Sequence, residues 1–298
     1  MSANKSIALS TTQLKTIVDT ITKFYPAHYA DKAWDNTGLL INSSSDMAPA
    51  VKKVQVLLTV DLTTAVAQEA IRKKCGLILA YHPFIFPSWK SINPCKNPQH
   101  RSAIDLIQNG ISVYSPHTAV DAAKDGVNDW LAYGLVNYDS SIIESNVAIE
   151  AVAGTEGEDD GEVGYGRVVT LKQELPFRAI IANVQKSLGL QHAQVSILNK
   201  NFDKKIKKIA LCAGSGSGVF KEVSEDVDLY YTGELSHHEI LRYKELGKAV
   251  IVCNHSNTER GYLRVMRDRL MNENPETEWI VSEEDEDPLQ TVSAQDFR

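Results

Sequence analysis

This sequence has no long apolar segment and no recognisable targeting segment. None of its apolar runs approaches the roughly 20 residues that a helix needs to span a bilayer. The N-terminal stretch MSANKSIALSTTQLKTIVDTI lacks the apolar core of a secretory signal and the arginines of a transit peptide. We therefore expect an intracellular protein without a membrane partner, cytoplasmic, with a nuclear or a mitochondrial location as alternatives.

Cysteine and clustered basic residues are also scarce. The four cysteines, Cys75, Cys95, Cys212 and Cys253, have no C-x-x-C spacing, so we expect reduced thiols and no disulfide scaffold. The formal net charge is −7 without a long basic run, which argues against a broad nucleic-acid-binding surface and leaves a local basic site open. The 43% of apolar residues among 298 positions can form a sizeable core in two domains or one large domain.

Histidine and carboxylate side chains follow three apolar segments that are typical of buried strands. LILA runs into Tyr81-His82-Pro83, ISVYSP runs into His117 and then Asp121, and AVIVCN runs into His255 and then Glu259. A single histidine at a strand end is more often a hydrogen-bonded structural side chain than a metal ligand. In α/β sheets, ligands gather at the carboxyl ends of the strands. Three strands that end in this way therefore favour one shared site.

The chemistry of these side chains indicates a metal site. Imidazole nitrogens with carboxylate oxygens suit Zn, Mn, Fe or Co. We expect residues 255–259, HSNTE, to form the first turn of the helix that continues in YLRVMRDRL, with both ligands on one face. Cys253 lies on the same side of its strand as His255, and we interpret it as core packing. AGSGSG at 213–218 lacks the lysine of a phosphate loop, so it predicts a tight turn, with phosphate contact as the alternative.

The second half of the sequence repeats the pattern of the first, with strands that run into polar residues in the same order. This weak similarity predicts an α/β fold of two similar halves, related by duplication and facing each other across a metal-binding cleft. We place the first half, with part of the metal site, at 1–140, and the second half, which completes the site, at 207–298. Residues 141–206 hold an acidic loop and a connecting strand–helix–strand. The acid- and glycine-rich segment 154–166 is typical of a mobile surface loop.

Three local predictions concern the first half. The apolar stripe of the first helix, which includes Leu14 and Ile17, starts after a cap at Thr11–Thr12. Trp34-Asp35-Asn36 is typical of a turn held by Asp and Asn side chains. Residues 88–100, rich in proline and asparagine, predict an irregular loop.

Several motifs together resemble one known family. YHPFIF, SPHTAVDAA with GVNDWL, TGELSHHE and NHSNTERGYL resemble the Ngg-interacting-factor-like (Nif-three-like) dinuclear metal proteins, whose bacterial members are often labelled GTP cyclohydrolase type 2 homologues. WDNTGLL and DEDPL fit the same family, so the resemblance runs from about Thr11 to Leu289. It implies two similar α/β domains, two divalent metal ions (Zn, Mn, Fe or Co) and a ring-shaped homohexamer.

The resemblance also implies roles for individual residues. It places metal ligands on His82, Asp121, His255 and Glu259. Tyr81 stands where many bacterial members carry another histidine, so a phenolate or a water is implied as a replacement ligand.

Two functions are compatible with such a site. Two metal ions can activate water, which predicts a hydrolase acting on a small nucleotide- or phosphate-like substrate. Glu234 and His238 are then the candidate catalytic groups at the rim, although Ser236 could equally cap a helix there. The alternative function is a non-catalytic, metal-stabilised scaffold or interaction protein that binds transcription-related partners.

Overall fold

The fold is built on two β-sheets with helices between their strands. The structure is a computed structural model that describes residues 8–48, 50–154 and 161–293. The α-helices are α1 (Thr11–Phe24), α2 (Thr64–Lys73), α3 (Pro98–Gln108), α4 (Thr118–Ala122), α5 (Val127–Gly134), α6 (Phe177–Leu188), α7 (His237–Glu245) and α8 (Tyr262–Glu273). The strands are β1 (Gly38–Ile41), β2 (Val54–Thr59), β3 (Leu77–Ala80), β4 (Ser112–Ser115), β5 (Ile143–Ala151), β6 (Gly164–Pro176), β7 (Gln194–Ser196), β8 (Lys205–Ser215), β9 (Leu229–Glu234), β10 (Ala249–Val252) and β11 (Thr277–Val281). Short 3₁₀ turns cover Ala27–Tyr29, Ser140–Ile142, Leu198–Lys200, Val219–Glu222 and Ser256–Thr258.

The first unit comprises the described residues of Met1–Val120 and Tyr262–Glu286. Its sheet has the order β1-β4-β3-β2-β11, in which β1 is antiparallel to β4 and the other neighbours are parallel. Every residue of β3 and β4 is buried, as expected for strands of a parallel sheet covered on both faces. The core of the sheet includes Leu57, Ile78 and Val113, against which Val66 of α2 and Leu106 of α3 pack.

Local capping chemistry sets the ends of two helices in this unit. Ser10, one residue before the predicted position, caps α1, because its hydroxyl accepts from the Gln13 amide while the Gln13 side chain reaches back to the Ser10 amide. α3 begins at Pro98, with Asn97 as its cap, so the irregular loop is shorter than predicted. Proline at the first helical position behind an asparagine cap is a standard helix start.

The second unit comprises the described residues of Asp121–Gly261 and Asp287–Arg298. Its sheet has the order β5-β6-β8-β9-β10-β7, with β8, β9 and β10 parallel and the remaining neighbours antiparallel. Buried residues of this unit include Ile209 and Leu211 of β8, Leu229 of β9 and Ile251 of β10. Three parallel strands thus form the centre of this sheet, as they do in the first unit.

The predicted α/β class is confirmed, whereas the duplication and the facing of two halves stay predictions. In support of duplication, β2-β3-β4 and β8-β9-β10 are each consecutive parallel strands, and each set is flanked by an antiparallel strand, β1 or β7. The division at 1–140, 141–206 and 207–298 also stays a prediction. The units differ from it in that residues 262–286 belong with the N-terminal segment.

The predicted acidic loop at 154–166 is only partly described, since residues 155–160 lie outside the described residues. The prediction is wrong at its C-terminal end, because β6 begins at Gly164, which pairs with Ala151 of β5. Sequence analysis overlooked β5, a strand in which every side chain is exposed or half-buried. Among the described residues, none of the helices combines the length and apolar character that crossing a membrane requires.

Candidate metal centre

His82 is fixed by backbone pairing that continues beyond the end of β3. The amides of Tyr81 and His82 donate to the carbonyls of Thr59 and Val60, at 2.9 and 3.1 Å. This pairing brings the imidazole next to Asp61, which follows β2, and His82 Nδ1 lies 2.9 Å from Asp61 Oδ1. The adjacent carboxylate favours a proton on Nδ1 and leaves Nε2 with its lone pair.

His117 occupies a comparable place after β4. Its φ of +37° is uncommon for a residue other than glycine, and its amide donates to the Tyr81 carbonyl at 3.0 Å. His117 Nδ1 lies 2.7 Å from Asp35 Oδ1, and the Asp35 side chain is 1% exposed. Burial alone would raise the pKa of Asp35, but the His117 hydrogen bond and charge, together with Thr118, hold it below the ordinary value. Asp35 is therefore a carboxylate that orients the His117 ring.

The two imidazoles of the first unit are neighbours. The His82 and His117 ring centroids are 5.4 Å apart, and the rings are nearly perpendicular. The buried Tyr81 ring contacts both, with centroid distances of 5.4 Å to His82 and 6.1 Å to His117. Tyr81 thus lies beside the imidazoles, and its proposed service as a ligand stays a prediction.

In the second unit, His255 and Glu259 flank a 3₁₀ turn. The expectation that they begin an α-helix is wrong: the turn covers Ser256–Thr258, and α8 starts only at Tyr262. The tighter turn nevertheless brings the side chains together, since His255 Nε2 lies 3.4 Å from Glu259 Oε1. His255 Nδ1 lies 3.3 Å from Glu234 Oε2 at the end of β9. Like His82 and His117, His255 therefore has a carboxylate oxygen close to its Nδ1 atom.

The distance between the two donor atoms suits a metal ion. Donors about 2.0–2.2 Å from one ion in tetrahedral geometry lie roughly 3.3–3.6 Å apart. Gly214 of β8 lies beside the pair with φ +62°, and a Cβ added there would come within 2.8 Å of both His255 Nε2 and Glu259 Oε1. The glycine thus leaves open the space next to the two donor atoms. The residues of this unit therefore fit a divalent cation.

Asp121 lies in α4, and its service as a metal ligand stays a prediction. Burial, followed by the negative charges of Asp121 and Glu259, raises the pKa of the buried Cys212 thiol well above its ordinary value. Burial likewise raises the pKa of Cys253 to about 12, which agrees with its interpretation as core packing.

The predicted catalytic residues lie on either side of a helix start. Glu234 ends β9 and is exposed, and His238 is exposed in the first turn of α7. Ser236 caps this helix in a capping box with Glu239, so the structural role weighed for this segment is present. The catalytic roles of Glu234 and His238 stay predictions.

Sequence analysis overlooked the carboxylates that hold the histidines. Asp61 has no motif of its own, and Asp35 is interpreted only as a turn residue. Asp35 and His117 are 82 positions apart, so no local pattern connects them. The only signal available in the sequence is that Asp35 stands between Trp34 and the polar Asn36 in a predicted turn. Among the described residues, His82 in the first unit and His255 with Glu259 in the second are candidate metal ligands.

Comparisons with known proteins identify the family. A family model described as Duf34/NIF3 (NGG1p interacting factor 3) matches residues 12–288. The chain is 55% identical over 291 residues to NGG1-interacting factor 3 of Saccharomyces cerevisiae, covering 95% of this chain and 99% of the yeast protein. It is 32% identical over 357 residues to NIF3-like protein 1 of Homo sapiens, covering 94% of this chain and 92% of the human protein.

Solved structures show the same fold. A Bacillus cereus protein related to NIF3 superposes with a TM-score of 0.74 at 20% identity, over 93% of this chain and 98% of that one. Reduced HcgD from Methanocaldococcus jannaschii superposes with a TM-score of 0.71 at 25% identity, over 90% of this chain and 97% of that one. The resemblance found in the sequence motifs is therefore confirmed, and the chain belongs to the Duf34/NIF3 family.

Proposed function

We propose that this protein binds two divalent metal ions and hydrolyses a small nucleotide- or phosphate-like substrate. The ligands in this proposal are His82, Asp121, His255 and Glu259. One observation carries it: each of the three imidazoles, His82, His117 and His255, has a carboxylate at Nδ1. A carboxylate behind a histidine is the common arrangement around protein metal ions.

The carboxylates matter because they select one tautomer. An Nδ1–H donated to Asp61 or Glu234 leaves the Nε2 lone pair of His82 or His255 available for a cation. Metal-ligating histidines need this neutral form with the ring held in place. His117 has the same arrangement with Asp35, and we add it to the proposed ligands. Zn, Mn, Fe and Co all accept this mixture of nitrogen and oxygen donors.

Asp121 and Glu259 have a different task from the histidines. Each has two oxygens and a negative charge, so each can bridge two cations and offset their repulsion. Glu259 is 3% exposed, and a buried carboxylate without a compensating charge is costly. Bound divalent ions would supply Lewis acidity and a nucleophile derived from water at neutral pH.

Proton transfer is proposed for residues at the exposed side of the site. The Glu234 side chain is 58% exposed and touches His255, so it can orient that ring and still reach solvent. His238 lies exposed four residues further on. In the proposal, these groups take a proton from the attacking water or return one to the leaving group of the substrate.

An exposed aromatic pair supports a substrate with a planar ring. Trp34 and Phe86 are 53% and 47% exposed, which is unusual for such large side chains. The Trp34 ring lies 5.7 Å from the His117 ring and 6.2 Å from the Phe86 ring. Aromatic side chains of this kind stack on nucleobases. A planar base would therefore rest beside His117, which favours a nucleotide-like substrate over a simple phosphate ester.

The metal part of the proposal is tested by elemental analysis and calorimetric titration of the full chain with zinc and manganese. We expect about two ions per chain in the wild type. Asp121→Asn and Glu259→Gln should abolish binding of the pair because both are bridging carboxylates, while His82→Ala should leave about one ion. Wild-type protein that binds none of Zn, Mn, Fe or Co would refute the proposal.

The catalytic part requires turnover. A panel of nucleotides, phosphoesters and cyclic amides should include a compound that the metal-loaded protein hydrolyses, and Glu259→Gln should abolish the reaction. Trp34→Ala should raise KM about tenfold or more for a substrate with a base, whereas Leu246→Ala, a 60% exposed side chain remote from Trp34 in the sequence, should not. Metal binding and partner capture without turnover would favour the scaffold alternative.

A further inference from the structure

A β-bulge interrupts the pairing of β8 with β9 next to the proposed ligands. Cys212 pairs with Thr232 and Ser215 pairs with Glu234, so Ala213 and Gly214 together face the single residue Gly233. A bulge leaves residues without their ladder partners and changes the direction of the strand. Here it turns Gly214 into the left-handed region, at φ +62°, beside His255 and Glu259.

Two buried side chains satisfy the backbone amides of the bulge. The Ala213 amide donates to Asn128 Oδ1 at 2.8 Å, and the Gly214 amide donates to Thr258 Oγ1 at 2.8 Å. Asn128 and Thr258 are both 0% exposed, so water does not replace them. Buried amides need partners, and the bulge is therefore maintained by these two side chains.

The same side chains also hold the backbone of the proposed ligands. Asn128 Nδ2 donates to the Asp121 carbonyl at 2.9 Å, and Thr258 Oγ1 donates to the His255 carbonyl at 2.6 Å. Each of the two side chains thus connects one bulge amide to one ligand-bearing residue. A metal ligand that is displaced by even a fraction of an ångström loses its productive geometry.

Thr232 and Gly233 complete the arrangement from β9. The Thr232 hydroxyl, also 0% exposed, donates to the Gly214 carbonyl at 3.1 Å. A Cβ at Gly233 would lie 2.5 Å from the Gly214 carbonyl oxygen and 2.8 Å from the carbonyl oxygen of Asn254. Only a glycine permits the ends of β8, β9 and the segment after β10 to approach so closely.

We propose that Asn128, Thr232 and Thr258 form a buried polar clamp that positions Asp121, His255 and Glu259 for metal by fixing the bulge at Ala213–Gly214. The inference rests on the proposed function, because it assigns a metal to these ligands. The three clamp residues are not among the proposed ligands or catalytic groups. They are positioning residues that act through the backbone of the ligand-bearing segments.

The test compares zinc affinity with stability in the full chain. Asn128→Leu and Thr258→Val remove the clamp groups with nearly the same volume, and Thr258→Ser restores the hydroxyl. Asn183→Leu is the matched control, because Asn183 makes a similar hydrogen bond to the Leu135 carbonyl at 2.8 Å in the same unit. Zinc is titrated in competition with a chromophoric chelator, cobalt(II) spectra report ligand geometry, and thermal unfolding reports stability.

We expect Asn128→Leu and Thr258→Val to bind zinc about 10–100-fold more weakly and to change the cobalt spectrum, as orienting groups around metal ligands do. Thr258→Ser should recover most of the affinity. Asn183→Leu should lower the melting temperature without changing the zinc affinity. If Asn128→Leu does not fold, the pair Thr258→Val and Thr258→Ser decides the question.

Three results would overturn the inference, and they are distinguishable. Folded Thr258→Val with wild-type zinc affinity and cobalt spectrum would refute the clamp and leave the proposed function intact. Wild-type protein that binds neither zinc nor cobalt would refute the proposed function and the clamp with it. Loss of affinity in Asn183→Leu equal to that in Thr258→Val would show a general effect of stability and would also refute the clamp.

Discussion

Replacing Gly214 by alanine tests the geometry of the candidate metal centre with a single methyl group. The added Cβ would lie 2.8 Å from both His255 Nε2 and Glu259 Oε1, well inside the roughly 3.5 Å at which such atoms make favourable contact. Both side chains must therefore move away from the added methyl group. Glu259 is 3% exposed, so it has little free space into which it can move.

The backbone contributes a separate and smaller effect. Gly214 has a φ of +62°, and a residue with a Cβ in the left-handed region costs roughly 1–2 kcal/mol. Gly247 provides the matched control, since its φ is +72° and a Cβ there would meet nothing within 4 Å. In the absence of metal, both variants should lose this backbone contribution to the unfolding free energy, and Gly214→Ala should lose more because of its contact with His255 and Glu259.

Metal affinity should separate the two variants. We expect Gly214→Ala to bind zinc about 100-fold more weakly than the wild type, equivalent to about 2.8 kcal/mol, and Gly247→Ala to bind it normally. Chemical unfolding measures the unfolding free energy, and competition with a chromophoric chelator measures the zinc affinity. Folded Gly214→Ala with wild-type zinc affinity, or an equal loss of zinc affinity in both variants, would contradict the geometry.

Three further predictions concern stability and assembly. Arg167 and Asp129 form a buried ion pair, with side chains 1% and 7% exposed. Arg167→Met should therefore lower the unfolding free energy, measured by chemical denaturation, by about 3–5 kcal/mol. Arg178 belongs to an exposed ion pair, so Arg178→Met should lower it by about 1 kcal/mol or less. Burial alone would raise the pKa of Glu69, but hydrogen bonds from Lys73 and then Ser282 hold it below its ordinary value of 4.5. The stabilising contribution of Glu69 is therefore full above pH 4.5 and is lost as the pH falls through the lowered pKa. The difference in stability between wild type and Glu69→Gln should accordingly narrow below pH 4.5, and a constant difference would refute the assignment. The family resemblance predicts a homohexamer, which sedimentation at micromolar concentration should detect in preference to a monomer.

Much of the fold could be predicted because its signals are local. The apolar runs of β3, β4 and β10 end at proline or polar residues, and Ser236, which the sequence offers as a cap, does cap α7. β5 could not be predicted in this way because its side chains are largely exposed and half-buried. β11 pairs with β2, more than 200 positions away, and neither strand contains a signal for the other.

The sequence by itself determined the family and the residue types of the candidate site. Its motifs place histidines and carboxylates directly after apolar strands, and the order of those motifs is specific. Only the tertiary structure decided which carboxylate holds which histidine, such as Asp35 with His117, and that Gly214 lies beside Glu259. The physical reason is that these contacts join segments far apart in the chain. Their distances depend on strand order and on a bulge whose buried partners no local pattern specifies.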